Sequence, residues 1–119
     1  MATRGYQELE VWKKAHNCVV EIYRLTRDFP KEEMFGLVSQ LRRAAVSIPA
    51  NIAEGYRRSS IPEKLRFYNI SQASLDEAAY YLLLAKDLKY ATTDTAIDQL
   101  DEIARMLSGY IAGIRRRTA

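Results

Sequence analysis

"RRAAVSIPANIAEGYRR", residues 42–58, decides how this chain is read. A pair of arginines stands at each end, only Glu54 is charged between them, and Pro49 interrupts what otherwise reads as a helix. Met34, Val38, Leu41, Ala45, Ile48 and Ile52 recur at steps of four and three, the α-helical period. That spacing predicts a helix over 34–55, with Gly55 as a fitting stop. Pro49 has no N–H for the Ala45 carbonyl, so the helix is expected to kink there. Ser47 is placed to relieve the kink by bonding back to the preceding turn.

Around the proline the segment is apolar or small on nearly every side. Ala45, Ile48 and Ile52 belong to a core stripe, whereas Val46, Pro49, Ala50 and Ala53 face elsewhere. A helix apolar all round is usually buried all round. Either its own neighbours cover it, or a second subunit does. Four helices in a bundle cannot cover every face of one member, which favours the subunit interface. Ser47, Asn51 and Glu54, spaced i, i+4, i+7, line one edge and read as a hydrogen-bonding line that fixes helix register.

The same period extends outward. Val11, Ala15, Cys18, Ile22, Leu25 and Phe29 predict a first helix over 6–28, widened by Leu9, Trp12, His16, Val19 and Tyr23. Its opposite face is charged, with one i,i+4 ion pair. "DFPKEE" ends it, because Pro30 biases Phe29 out of the helical region. Ser60, with Glu63 three residues on and Pro62 in the first turn, caps a third helix over 61–89. Thr93 or Thr95 caps a fourth over 94–115, carried by Ile97, Leu100, Ala104, Leu107, Ile111 and Ile114. Four amphipathic helices with short loops predict an all-α, antiparallel up-down-up-down four-helix bundle, kinked at Pro49, as one domain over 1–119.

Composition fits one ordinary globular domain: 119 residues, 48% hydrophobic and 28% charged. A single cysteine forms no internal bridge, and no segment approaches the roughly 18 apolar residues of a membrane span. The first residues lack the apolar run of a signal peptide, so a cytoplasmic setting is expected. Net charge of +3 is compatible with a nucleic-acid partner without demanding one.

Catalytic chemistry is not legible. Ser47 has no base nearer than Glu54, two turns along the same helix, too far for direct proton transfer. His16, the only histidine, sits on an apolar stripe and reads as a core or boundary residue. Lys13 stands where a di-iron bundle needs Glu three before its histidine, and no cysteine pair offers zinc spacing. Cys18 lies on the core stripe and is expected to be inert. No enzyme, cofactor or metal is expected.

Charge is segregated instead. In an up-down bundle, Arg4, Arg57, Arg58, Lys64, Arg66, Arg115, Arg116 and Arg117 gather at one end, with Glu8, Glu10, Glu54 and Glu63 nearby. Residues 73–104 hold seven acids and two lysines. Arg42 and Arg43 either extend the basic patch along the outer wall or serve subunit ion pairs. Arginines also suit the negative end of a helix dipole and keep proteins soluble, so such an end need not bind anything.

Three segments carry a resemblance: "YQELEVWKKA", "EIYRLTRDFPKEEMFGLVSQLRRAAVSIPANIAEGYRR" and "ARMLSGYI". Over roughly residues 6–114 the chain resembles the four-helix-bundle proteins named for open reading frames in intervening sequences of 23S ribosomal RNA. The shared signature falls on Phe35, Gly36, Leu37, Arg42, Arg43, Ser47, Ile48, Pro49, Asn51, Ile52, Glu54, Gly55 and Arg58. The resemblance implies a bacterial cytoplasmic bundle, often a ring-like homopentamer, and no enzyme. A related branch, the accessory variability determinant proteins of diversity-generating retroelements, partners a reverse transcriptase and its template RNA through a basic surface. Together these readings lead to a non-catalytic oligomeric adaptor that binds RNA or an RNA-bound protein such as a reverse transcriptase. A purely protein-binding assembly with no nucleic-acid contact is the alternative.

Overall fold

The computed structural model describes residues 5–118. Four helices carry them: α1 (Glu10–Thr26), α2 (Leu37–Arg57), α3 (Ile61–Asp87) and α4 (Asp94–Thr118). Short 3-10 turns, Tyr6–Glu8 and Lys31–Glu33, precede α1 and α2. No strand occurs among the described residues, and no helix among them is long and apolar enough to cross a membrane. α1 packs on α2 and α4, α3 packs on α2 and α4, and the diagonal pairs do not meet. Gly55 lies against Tyr68, Ile48 against Ser71 and Ser47 against Ser74, so α2 and α3 run in opposite directions. Tyr68 meets Tyr110 and Lys86 meets Asp94, which sets α4 against α3 in the same sense.

Helix boundaries differ from the sequence expectation for identifiable reasons. Leu9 is extended, which detaches the Tyr6–Glu8 turn from the predicted first helix. The start of α2 is set by Glu33, whose Oε1 accepts the Leu37 N–H at 3.2 Å. Its Oε2 accepts the Tyr90 hydroxyl at 2.7 Å, tying this turn to the loop after α3. Met34 therefore stands outside the helix, 55% exposed, and is not part of the core stripe. Gly55 does not stop α2, which continues to Arg57. Its role is close approach: a Cβ there would lie 2.5 Å from the buried Tyr68 ring. Pro49 does not end the helix either, which runs on for about two turns.

The Ser60 cap is present, its Oγ accepting the Glu63 N–H at 3.3 Å. α3 closes with Lys89 in the left-handed region, the Tyr90 N–H reaching the Ala85 carbonyl at 2.9 Å. Thr93 stands at the N-cap position of α4, its carbonyl accepting the Ile97 N–H at 3.0 Å, but its buried hydroxyl donates to the Leu82 carbonyl at 2.8 Å and bonds the loop to α3; Thr95 lies inside the helix. The core comprises Val11, Ala15, Cys18 and Ile22 of α1, the 41/45/48/52 stripe of α2, Leu75 and Leu82 of α3, and Leu100, Leu107, Ile111 and Ile114 of α4. α1 carries Lys13–Glu10 and Arg24–Glu21 ion pairs at i,i+3 rather than the expected i,i+4, while Lys14 reaches across to Glu102 of α4.

Candidate interaction surfaces

The basic residues separate into cations with internal work and cations without it. Arg42 caps α1. Its Nε donates to Thr26 Oγ1 at 2.8 Å, Thr26 donates in turn to the Ile22 carbonyl, and Arg42 Nη2 reaches the Tyr23 carbonyl at 3.2 Å. The guanidinium also lies 4.5 Å from the centre of the Tyr23 ring. Lys64 caps α2 in the same way, donating to the Gly55 and Tyr56 carbonyls at 3.2 and 2.7 Å. Partial burial lowers its pKa. Arg58 pairs with Glu54 at 2.6 Å and Arg66 with Glu63 at 3.1 Å, both guanidinium carbons standing 4.7 Å from the Phe67 centroid. These four were expected to offer themselves to a nucleic acid; each is already engaged within the chain. Cations at helix C-termini answer the unpaired carbonyls and negative dipole end there.

Arg43, Arg57, Arg115, Arg116 and Arg117 are exposed and form no ion pair among the described residues. The end of α2, the start of α3 and the last third of α4 meet through Gly55, Tyr68 and Tyr110. Arg57 and Arg115–Arg117 therefore share one end of the bundle. Arg43 lies about 21 Å away along α2, by helical rise. Arg4 lies outside the described residues.

The second surface is the outward side of α2. Val46 is 41% exposed, Ala50 is exposed and Ala53 half-exposed, whereas Pro49 is buried. With Tyr6, Trp12, His16 and Val19 they line an open groove of about 350 Å³ between α1 and α2. His16 is exposed rather than in the core, its ring stacked on Trp12 at 5.2 Å between centroids. A further groove of about 560 Å³ continues past Val46 to Met34 and Phe35. Phe35 is 92% exposed. The edge residues do form a hydrogen-bonded line. Asn51 Nδ2 donates to the carbonyl and Oγ of Ser47 at 2.8 and 2.9 Å, and Ser74 donates to Ser47 Oγ from α3. Glu54 belongs to Arg58 instead.

Two features were missed from the sequence. Phe35 entered only as part of a shared signature, since an exposed phenylalanine and a core one are written alike in sequence. The outer side of α3 also carries apolar residues, Tyr80 at 58% exposure among them. "YYLLL" at 80–84 signals this, since a helix with one buried side cannot hide five consecutive apolar residues.

No group of three His, Cys, Asp or Glu among the described residues is arranged to hold a metal. Burial pushes the Cys18 thiol up to about 11, so it is almost wholly protonated at neutral pH and a poor nucleophile.

No curated protein matches the chain. A crystal structure of a protein of unknown function from the S23 ribosomal protein family, from Bacteroides thetaiotaomicron, is similar to it: 26% identical, with a TM-score of 0.79, covering 86% of this chain and 95% of that one. The family model described as 23S rRNA-intervening sequence protein matches residues 7–109, through the first three helices, the stretch at 42–58 and into α4. The chain belongs to the 23S rRNA-intervening sequence protein family.

Proposed function

We propose that the protein is a non-catalytic, self-assembling cytoplasmic adaptor whose basic end meets RNA. The observation that carries the assembly is the apolar α1–α2 face, on which Val46, Ala50, Met34 and the almost fully exposed Phe35 lie open. Leaving a phenylalanine in water forgoes roughly 2 kcal/mol that burial would return. Exposed apolar patches of this kind mark interaction sites. A second copy of the chain supplies the cover, and the resemblance makes five the expected number.

Ala50→Glu tests this. Its side chain would place a carboxylate in every subunit contact, at a cost of about 3 kcal/mol or more per contact. The variant is expected to sediment as a folded monomer while the wild type is oligomeric. An Ala50→Glu protein that keeps the wild-type mass contradicts the reading.

The RNA contact is favoured by a separate observation, the four arginines at one end that hold no carboxylate. Assembly multiplies them by the number of subunits. Phosphate contacts of this kind make log K fall with log salt by about 0.7 to 0.9 per phosphate neutralised. Replacing Arg115, Arg116 and Arg117 with Glu is expected to abolish RNA retention at low salt without changing helical content or assembly. If the wild type retains no RNA at low salt, or the triple variant retains it equally well, the protein is a purely protein-binding assembly. A reverse transcriptase carrying its template RNA, the partner that the resemblance implies, would meet the same end.

A further inference from the structure

Two outward helix faces repeat at the same spacing. On α2 the row is Arg43, Val46, Ala50, Ala53 and Arg57; on α3 it is Ile70, Ala73, Glu77, Tyr80, Leu84 and Asp87. Both step by three and four, the heptad rhythm by which one helix seats its side chains on another. Most of each row is exposed, with Val46, Ile70 and Tyr80 among the large residues, while Ala53 and Leu84 are half-buried. The α2 row is small in its middle and positive at its ends. The α3 row is large in its middle and negative, and Glu77 and Asp87 hold no ion pair among the described residues. Glu77 accepts only the Tyr81 hydroxyl.

We infer that the outer row of α3 in one copy docks antiparallel onto the outer row of α2 in the next, making a head-to-tail contact. This rests on the self-assembly proposed above and names the surfaces that carry it. In one register Arg43 meets Asp87, Val46 meets Leu84, Ala50 meets Tyr80 and Ala53 meets Glu77, with Arg57 one turn beyond. Opposite charges then face each other at Arg43 and Asp87, and the tyrosine falls on one of the two alanines of the α2 row. The direction agrees with closure. Rotation about an axis along the bundle preserves each helix's direction, so α2 of one subunit meets α3 of the next as oppositely as they meet within one chain. Each subunit spends two different patches, a heterologous contact that closes into a ring instead of stopping at a two-fold dimer.

A mixing experiment tests the pairing. Ala50→Glu spoils only the α2 row and Tyr80→Glu only the α3 row, and both positions are exposed in the single chain. Each variant alone is expected at the monomer mass of 13.7 kDa in sedimentation, with unchanged helical circular dichroism. Mixed in equal amounts at high concentration, they retain one intact pair of rows and are expected to form a heterodimer of twice that mass. A mixture that stays monomeric, or a Tyr80→Glu protein that keeps the wild-type mass, overturns the pairing while self-assembly stands. A monomeric wild type defeats self-assembly itself. Should a glutamate variant fail to fold, Arg43→Glu and Asp87→Arg serve in its place. Each reversal alone is expected to weaken association roughly tenfold and the double variant to recover it. Failure to recover overturns the Arg43–Asp87 contact.

Discussion

Gly55 is the residue on which the tightest helix pair depends. A methyl group at this position would stand 2.5 Å from Cε1 and 2.8 Å from Cδ1 of Tyr68, a ring that is fully buried between α2 and α4. Something must shift to admit the methyl, and the nearest atoms belong to a fully buried ring. Gly55→Ala is expected to destabilise the fold by roughly 1–3 kcal/mol, the usual cost of overpacking, and to lower Tm by several degrees. A thermal melt that does not move would place the ring elsewhere. The sequence marks Gly55 only as a helix stop, because glycines at helix ends and glycines at close approaches look alike in one dimension. The same limit hides the work of Arg42 and Lys64: a cation bonded to a carbonyl nineteen residues away, or across a tight loop, is written no differently from a free one.

At the scale of the element, the four helices were legible because each has a strong period. The 41/45/48/52 stripe of α2 and the 11/15/18/22 stripe of α1 are buried as their spacing predicts. The boundaries were less legible, since they are set by contacts distant in sequence, such as Glu33 with Tyr90 and Thr93 with Leu82. α2 carries the sharpest question. We propose that Pro49 bends this helix and that the bend shapes its outward row, since the buried proline borders Ala50 and Ala53 in the groove. A proline inside a helix costs up to ~3 kcal/mol in propensity relative to alanine. Pro49→Ala is therefore expected to be as helical as the wild type and weaker in assembly, as read by circular dichroism and sedimentation. An unchanged oligomer would remove the bend from the account.

On the scale of the whole molecule, the bundle satisfies its core with four helices and leaves apolar residues on two outer sides. α2 packs on α1, α3 and the two short 3-10 turns, and Val46 and Ala50 still stay exposed. That much followed from the stretch at 42–58. The α3 row did not, because its apolar residues share a helix with a deep core stripe and are separated from it only in three dimensions. Charge divides less cleanly: free Arg57 and Arg115–Arg117 share one end with the engaged Arg58, Lys64 and Arg66, and free acids lie along α3. The most direct test of the central claim is the mass of the wild-type protein by light scattering at micromolar concentration. A mass that is a multiple of 13.7 kDa, five-fold by the family resemblance, is the expected result. A mass of 13.7 kDa that persists as concentration rises would contradict it.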